Sequence, residues 1–231
     1  MNSFVRVMQS SIGAKQVMAV TGLGLVLYVI AHMLGNLQVF LGPDALNAYG
    51  AKLHAVPGFL WGARAGLLVL LILHVIAAVR VTRLNRAARP ERYVKNESQE
   101  ASYAARTLMW SGVLIVAYVV YHLMHFTIRN VHTEFSHFRD AQGHHDVYRM
   151  LVGSFQNPAI AVAYVVAMVL LGMHLSHGIG SFLQTLGFAH PRYNAGIRLL
   201  GPVMAIIIVV GYISIPIAVL LGLVEMPSGG L

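Results

Sequence analysis

The sequence contains no cysteine, and this absence excludes several kinds of protein. Without cysteine the chain forms neither a disulfide scaffold nor a cysteine-ligated iron–sulfur cluster, and it cannot attach haem through thioether bonds. Charge is scarce as well, since charged residues make up 10% of the 231 residues, whereas they make up about 25% of a soluble domain. An ordinary water-soluble fold is therefore excluded.

Acidic residues are the scarcer charge, with eight against sixteen basic residues. An excess of basic residues indicates a nucleic-acid partner when the charge covers an exposed face. Here it lies in short polar gaps between long apolar runs, and 57% of the residues are hydrophobic. This pattern is typical of a multi-spanning membrane protein, so we expect contact with membrane lipid and no nucleic-acid partner.

Five runs are long and apolar enough to cross a membrane, which takes about 20 apolar residues for a hydrocarbon core of roughly 30 Å. We therefore predict an all-α membrane protein, a single integral membrane domain over 1–231 without an internal repeat. The predicted spans are about 16–41, 62–84, 107–128, 158–183 and 200–223. The first is too long for a signal peptide and lacks a cleavage site after it, so we expect it to be retained.

The basic residues predict the orientation of these spans. With a cytoplasmic N-terminus, eleven of the sixteen lysines and arginines lie on the inner side, most of them between Arg80 and Arg106. Because inner loops of membrane proteins carry the excess of positive charge, we predict that the N-terminus is cytoplasmic.

The middle of every predicted span lacks an acidic residue and four of the spans contain histidine instead. Ionisable side chains inside a membrane are costly and usually mark the functional site. A single histidine in a span is usually just a hydrogen-bonded side chain, but four consecutive spans each carrying one is a different observation. The histidines in the spans are His32, His74, His122, His125, His174 and His177.

Depth sorts these histidines into two pairs. At a rise of about 1.5 Å per residue, His32 and His122 lie near the outer ends of the first and third spans, and His74 and His174 near the inner ends of the second and fourth. In an antiparallel four-helix bundle the first span faces the third and the second faces the fourth. Each pair would then place two imidazoles on opposite faces of one haem, an arrangement that suits electron transfer. A closed zinc site is the rival, but it needs about four ligands at one depth.

Spacing alone leaves the ligand open where two histidines lie three residues apart. His122 and His125 share one helix face, as do His174 and His177. The more central residue of each doublet is the better buried ligand, and the other is placed to meet a haem propionate, water or another polar group. Glycines of the spans would make room for a porphyrin, although glycine also packs membrane helices without any cofactor. They are Gly22, Gly24, Gly35, Gly66, Gly112, Gly172, Gly178 and Gly180.

Four short strings resemble one known family. They are 31–36 (AHMLGN), 73–75 (LHV), 121–123 (YHL) and 173–182 (MHLSHGIGSF). The chain resembles the cytochrome b558 membrane-anchor subunit of bacterial succinate dehydrogenase and fumarate reductase, of the single-chain, five-helix, two-haem type. The likeness follows all five spans in order. It implies that the first four spans form a haem-binding bundle with His32 paired to His122 and His74 to His174, leaving His125 and His177 as propionate or secondary contacts.

The resemblance also implies partners and a reaction. A flavoprotein subunit and an iron–sulfur subunit would dock on the cytoplasmic face of the bacterial cytoplasmic membrane and oxidise succinate there. This chain would not oxidise succinate itself but would pass electrons through two b haems to a membrane quinone, usually menaquinone. Some relatives that reduce fumarate carry a membrane carboxylate close to the fourth ligand for proton transfer. Here residues 170–173 read LLGM, without an acid.

Polar residues near the two depths are candidates for binding the quinone. They are Asn36, Gln38 and Asp44 on the outer side and Ser176 on the inner side, and each also suits ordinary capping or packing. Two other functions stay open. One is a cytochrome b subunit of a hydrogenase or formate dehydrogenase, and the other is a haem-free anchor or transporter whose histidines make polar contacts between helices.

Overall fold

The computed structural model describes residues 10–88, 103–188 and 190–227, and these ranges are helical without a β-strand. A turn of 3-10 helix at Leu37–Leu41 extends the first helix, and a π-helical turn at Leu123–Ile128 extends the fourth. The α-helices of the described ranges are α1 (Ser11–Asn36), α2 (Pro43–His54), α3 (Pro57–Ala87), α4 (Tyr103–His122), α5 (Val147–Gln156), α6 (Pro158–Thr185) and α7 (Asn194–Leu220).

Five of these helices, α1, α3, α4, α6 and α7, are long and apolar enough to span a membrane, which confirms the predicted all-α class and number of spans. Large apolar side chains such as Leu27, Leu68 and Ile206 are exposed on them. Contiguous exposed apolar surface of this kind marks contact with a membrane or a partner. The fold is that of a multi-pass membrane protein.

Helices α1, α3 and α7 begin five or six residues before the predicted spans, at Ser11, Pro57 and Asn194. The first helix begins at Ser11, before Lys15, because the Ser10 side chain caps it by accepting a hydrogen bond from the Gly13 N–H at 3.0 Å. The third begins at Pro57, since proline at the first helical position has no N–H to satisfy. It continues to Ala87. Residues 1–9 and 89–102, which hold part of the basic charge behind the predicted orientation, lie outside the described residues.

Neighbouring spans run antiparallel. Helix α1 packs against α3, α4 against α6, and α6 against both α7 and α1. The Tyr212 hydroxyl of α7 donates to the Val29 carbonyl of α1 at 2.8 Å. Helices α6 and α7 approach so closely that a side chain at Gly201 would collide with the carbonyl of Ser176. We call the end of the bundle where α1 begins the near end and the opposite end the far end; the near end is the predicted inner side.

The two short helices α2 and α5 cover the far end, where the sequence predicts only loops. Helix α5 buries seven of its ten residues, including Val152 and Phe155, against the spans. The Asn47 amide of α2 donates to the Asp146 carboxylate at 2.9 Å, and its carbonyl oxygen accepts from the Tyr148 N–H at 3.0 Å. We call α2, α5 and the segment 129–146 the far cap.

Candidate functional site

Four histidines of four different spans face each other as two pairs. His32 of α1 and His122 of α4 form the far pair, with ring centroids 5.8 Å apart and planes at 83°. His74 of α3 and His174 of α6 form the near pair, with centroids 6.4 Å apart and planes at 65°. The structure thus brings together the same residues that depth pairs in the sequence.

The separations suit a metal ion between the two rings of a pair. A bond between a metal ion and an imidazole nitrogen is about 2 Å long, so two imidazoles on opposite sides of one metal ion hold their ring centroids roughly 6 Å apart. Both pairs lie close to that value, at 5.8 Å and 6.4 Å. The donor set is two neutral imidazoles at each level, which is the axial ligand set of a low-spin b haem.

The near pair is held by hydrogen bonds from the neighbouring helix. His74 Nδ1 lies 3.1 Å from the Met18 carbonyl oxygen and 3.2 Å from the Thr21 hydroxyl oxygen. A carbonyl oxygen only accepts, so Nδ1 carries the proton and donates it. The lone pair of the neutral ring is then on Nε2, the nitrogen left for a metal ion.

His174 is held in the same way. The Ser111 hydroxyl donates to the Leu108 carbonyl at 3.0 Å, which uses its one proton. Its oxygen, 3.3 Å from His174 Nδ1, therefore accepts from the ring. Ser111 and the Leu108 backbone carbonyl together orient the ring and again leave Nε2 with the lone pair, as the outer hydrogen bonds of metal-binding histidines do.

Two glycines let these rings approach the neighbouring helices. A Cβ atom at Gly22 would lie 3.1 Å from Cε1 of His74, and one at Gly112 would lie 3.5 Å from Cε1 of His174. The first distance is tighter than ordinary van der Waals contact and the second is within it. A side chain at residue 22 would therefore press on the His74 ring, whereas one at residue 112 would make ordinary contact with the His174 ring.

The far pair has aromatic rather than hydroxyl neighbours. Tyr28 stacks on His32 with centroids 5.4 Å apart, and Tyr118 lies beside His122 at 5.8 Å. Within the described residues His122 Nδ1 is buried without a hydrogen-bond partner. A buried polar atom without a partner in a native fold calls for an explanation, such as a bound water, an ion or a role at a functional site.

His125 has quite different surroundings from His122. Its exposed fraction is 2%, Nδ1 lies 2.9 Å from the Tyr164 hydroxyl, and Nε2 lies 3.0 Å from the Ser154 hydroxyl. Ser154 already donates to the Met150 carbonyl, so Nε2 donates to Ser154 and Nδ1 accepts from Tyr164. Both ring nitrogens are used within the protein, which leaves neither for iron.

The remaining predicted site residues do not form one site. Asn36 ends α1 and Gln38 follows it in the 3-10 turn, both half-buried at the far end, while Asp44 is exposed in the first turn of α2. Ser176 and His177 are half-buried on α6 at the near end, and the Ser176 hydroxyl donates to the Met173 carbonyl at 2.9 Å. Quinone binding by Asn36, Gln38, Asp44 and Ser176 stays a prediction. Propionate contact by His125 and His177 stays a prediction as well.

The sequence analysis did not identify Thr21 and Ser111 as partners of the near-pair histidines. An internal repeat in the sequence points to both residues. Residues 21–32 (TGLGLVLYVIAH) and 111–122 (SGVLIVAYVVYH) share a hydroxyl residue, glycine, tyrosine and histidine at equal spacing. Residues 69–74 (VLLILH) and 169–174 (VLLGMH) match as well. The prediction of no internal repeat is therefore corrected: the first two spans resemble the next two.

Comparison with protein-family models, with curated proteins and with solved structures finds no match to this chain. The function is accordingly argued from the geometry of the two histidine pairs.

Proposed function

We propose that the chain is a di-haem cytochrome b membrane anchor of a bacterial succinate dehydrogenase, the respiratory complex II. In this proposal His32 with His122 and His74 with His174 are the axial ligands of two b haems. The chain passes electrons from an iron–sulfur subunit to a membrane quinone, menaquinone first, and the flavoprotein partner oxidises succinate. The observation that carries the proposal is the pair of facing histidines at each of two levels in one helical bundle.

Three features of the described residues support haem as the bound group. The centroid separations of both pairs match those of two imidazoles bound to one metal ion. The hydroxyls of Thr21 and Ser111 direct the Nδ1 protons of the near pair away from the facing ring. Gly22 removes side-chain bulk directly beside His74. Haem b supplies reversible one-electron chemistry when bound, and two axial imidazoles leave no open position for oxygen or substrate.

The chain itself supplies the ligands of the haems and sets the distance between them. Neutral imidazoles donate lone pairs without bringing charge into the membrane, which is much less costly than a buried ionised carboxylate. The levels of the two pairs lie about 15 Å apart, from Gly22 beside the near pair to His32 in the far pair, at the helical rise per residue. One pair therefore lies toward each end of the bundle, as a chain that carries electrons across the membrane requires.

Purification of the affinity-tagged full chain in mild detergent tests this proposal. We expect two low-spin b haems per chain, all removed by acid–acetone, and a copurifying flavoprotein and iron–sulfur subunit. Haem assays, flavin fluorescence and iron determination measure each of these. A chain without haem would favour the haem-free anchor or transporter. Copurification with a nickel or molybdenum protein would place the cytochrome in a hydrogenase or formate dehydrogenase complex.

A further inference from the structure

Each copy of the internal repeat carries one residue of the near level and one residue of the far level. In both copies the histidine of a far-pair position lies eleven residues after a hydroxyl residue, Thr21 before His32 and Ser111 before His122. Eleven residues are close to three turns of an α-helix, so the hydroxyl and the histidine project from the same side of their helix. One side of α1 and one side of α4 thus carry a histidine at the far end and a hydroxyl at the near end.

Each hydroxyl reaches the near-pair histidine of the next span. Thr21 lies 3.2 Å from His74 Nδ1, and Ser111 lies 3.3 Å from His174 Nδ1. Their own protons go to backbone carbonyls of the preceding turn, Val17 at 2.6 Å for Thr21 and Leu108 at 3.0 Å for Ser111. With its proton used, each hydroxyl presents only lone pairs to the ring.

The far pair lacks an equivalent. The repeat places tyrosines there, Tyr28 stacked on His32 and Tyr118 beside His122, and His122 Nδ1 has no hydrogen-bond partner among the described residues. The near-pair rings and His122 thus differ in the hydrogen bonding of Nδ1.

We propose that Thr21 and Ser111 are positioning residues that accept from the Nδ1–H of the near-pair imidazoles, beside the carbonyls of Met18 and Leu108, and lower the reduction potential of the haem bound there. A hydrogen bond donated by the outer nitrogen raises the basicity of the ligand nitrogen, and a more basic ligand favours the oxidised metal ion. The far haem has no such contribution at His122. This inference rests on the proposed function, because it requires a haem bound between His74 and His174.

Redox titration of the purified complex tests the proposal, with the near haem identified as the signal that His74→Ala removes. Ser111→Ala and Thr21→Val delete the accepting oxygens. We expect each to shift the midpoint potential of the near haem upward and to change its low-spin electron paramagnetic resonance signal, while the far haem keeps both. A double variant should shift the near haem further than either single variant.

Matched variants separate this role from a packing effect. Ser111→Thr and Thr21→Ser keep the hydroxyl and should keep the parent potential. Thr82→Val removes a hydroxyl of α3 that donates to the Ala78 carbonyl at 2.8 Å, and it should shift neither haem. An unchanged near-haem potential in Ser111→Ala and Thr21→Val, or an equal shift in Ser111→Thr, would overturn the inference while leaving two bound haems. A parent complex without haem would overturn the proposed function instead.

Discussion

His122 and His125 lie three residues apart near the end of one span, yet their ring nitrogens have different partners. His122 faces His32 and keeps Nδ1 unpartnered within the described residues, whereas His125 uses both nitrogens on Tyr164 and Ser154. A ligand needs a free lone pair, and a structural histidine needs satisfied nitrogens. The contacts therefore assign different roles to the two residues.

Alanine at each of these positions is expected to give opposite results. His122→Ala should remove one of the two haem signals while the chain keeps its fold. His125→Ala should leave two haems but destabilise the chain by about 2 to 4 kcal/mol, because the buried hydroxyls of Tyr164 and Ser154 lose their partner. Haem-to-protein ratio and thermal unfolding in detergent measure the two effects. Loss of a haem in His125→Ala with two haems kept in His122→Ala would reverse the assignment.

Glycine substitutions give a graded test of the near pair. A Cβ atom at residue 22 would lie 3.1 Å from the His74 ring and one at residue 112 would lie 3.5 Å from the His174 ring. Gly22→Ala should displace His74 and reduce the near-haem content severalfold, whereas Gly112→Ala should be close to neutral. Gly66→Ala is the control, since nothing lies within 4 Å of a Cβ atom there. Equal haem content in all three variants would mean that Gly22 only packs helices.

At the scale of helices, the long apolar runs of the sequence are sufficient to predict the spanning helices and the levels of their histidines. The five spans follow from runs of sufficient length, and the histidine pairs follow from counting residues along antiparallel helices. The far cap does not, because α2 and α5 are 12 and 10 residues long, too short to be read as spans, and are buried only by tertiary contacts. The contacts of Thr21 with His74 and of Ser111 with His174 join residues 53 and 63 positions apart, which no local pattern predicts.

One buried amide joins the two short helices of the far cap. Asn47 links α2 to Asp146 and to the Tyr148 N–H, and the exposed fractions of Asn47 and Asp146 are 7% and 4%. Asn47→Ala should cost about 1 to 3 kcal/mol, since it leaves a buried N–H without its partner. It should also expose 129–146 to limited proteolysis without removing haem. In a double-mutant cycle with Asp146→Ala the two losses should not add; additive losses would show that the pair does not interact.

At the scale of the whole molecule, the two levels and the absence of acids in the spans bear on energy coupling. The five spanning helices contain no Asp or Glu in their described sequences. Electrons entering at the near pair and leaving at the far pair would cross the membrane without protons alongside them. With the near end inside and menaquinone reduced by protons from the outer side, negative charge moves outward. A potential that is positive outside then assists succinate oxidation.

Sealed vesicles with an imposed potential, positive outside, test this coupling. An uncoupler should slow succinate:menaquinone activity, because it removes the potential that assists electron transfer. Succinate:dye activity should be unaffected, since the dye takes electrons before they cross the membrane. Equal rates with and without uncoupler in both assays would mean that the reaction is electroneutral.

Each facing pair takes one histidine from the first half of the chain, α1 and α3, and one from the second half, α4 and α6. Neither half alone contains a complete pair at either level. During synthesis the far pair is therefore complete only when the third span has entered the membrane, and the near pair only when the fourth has. Two haems bound as proposed would crosslink the halves at both ends of the bundle, so that their insertion would act as a checkpoint in the folding of the chain.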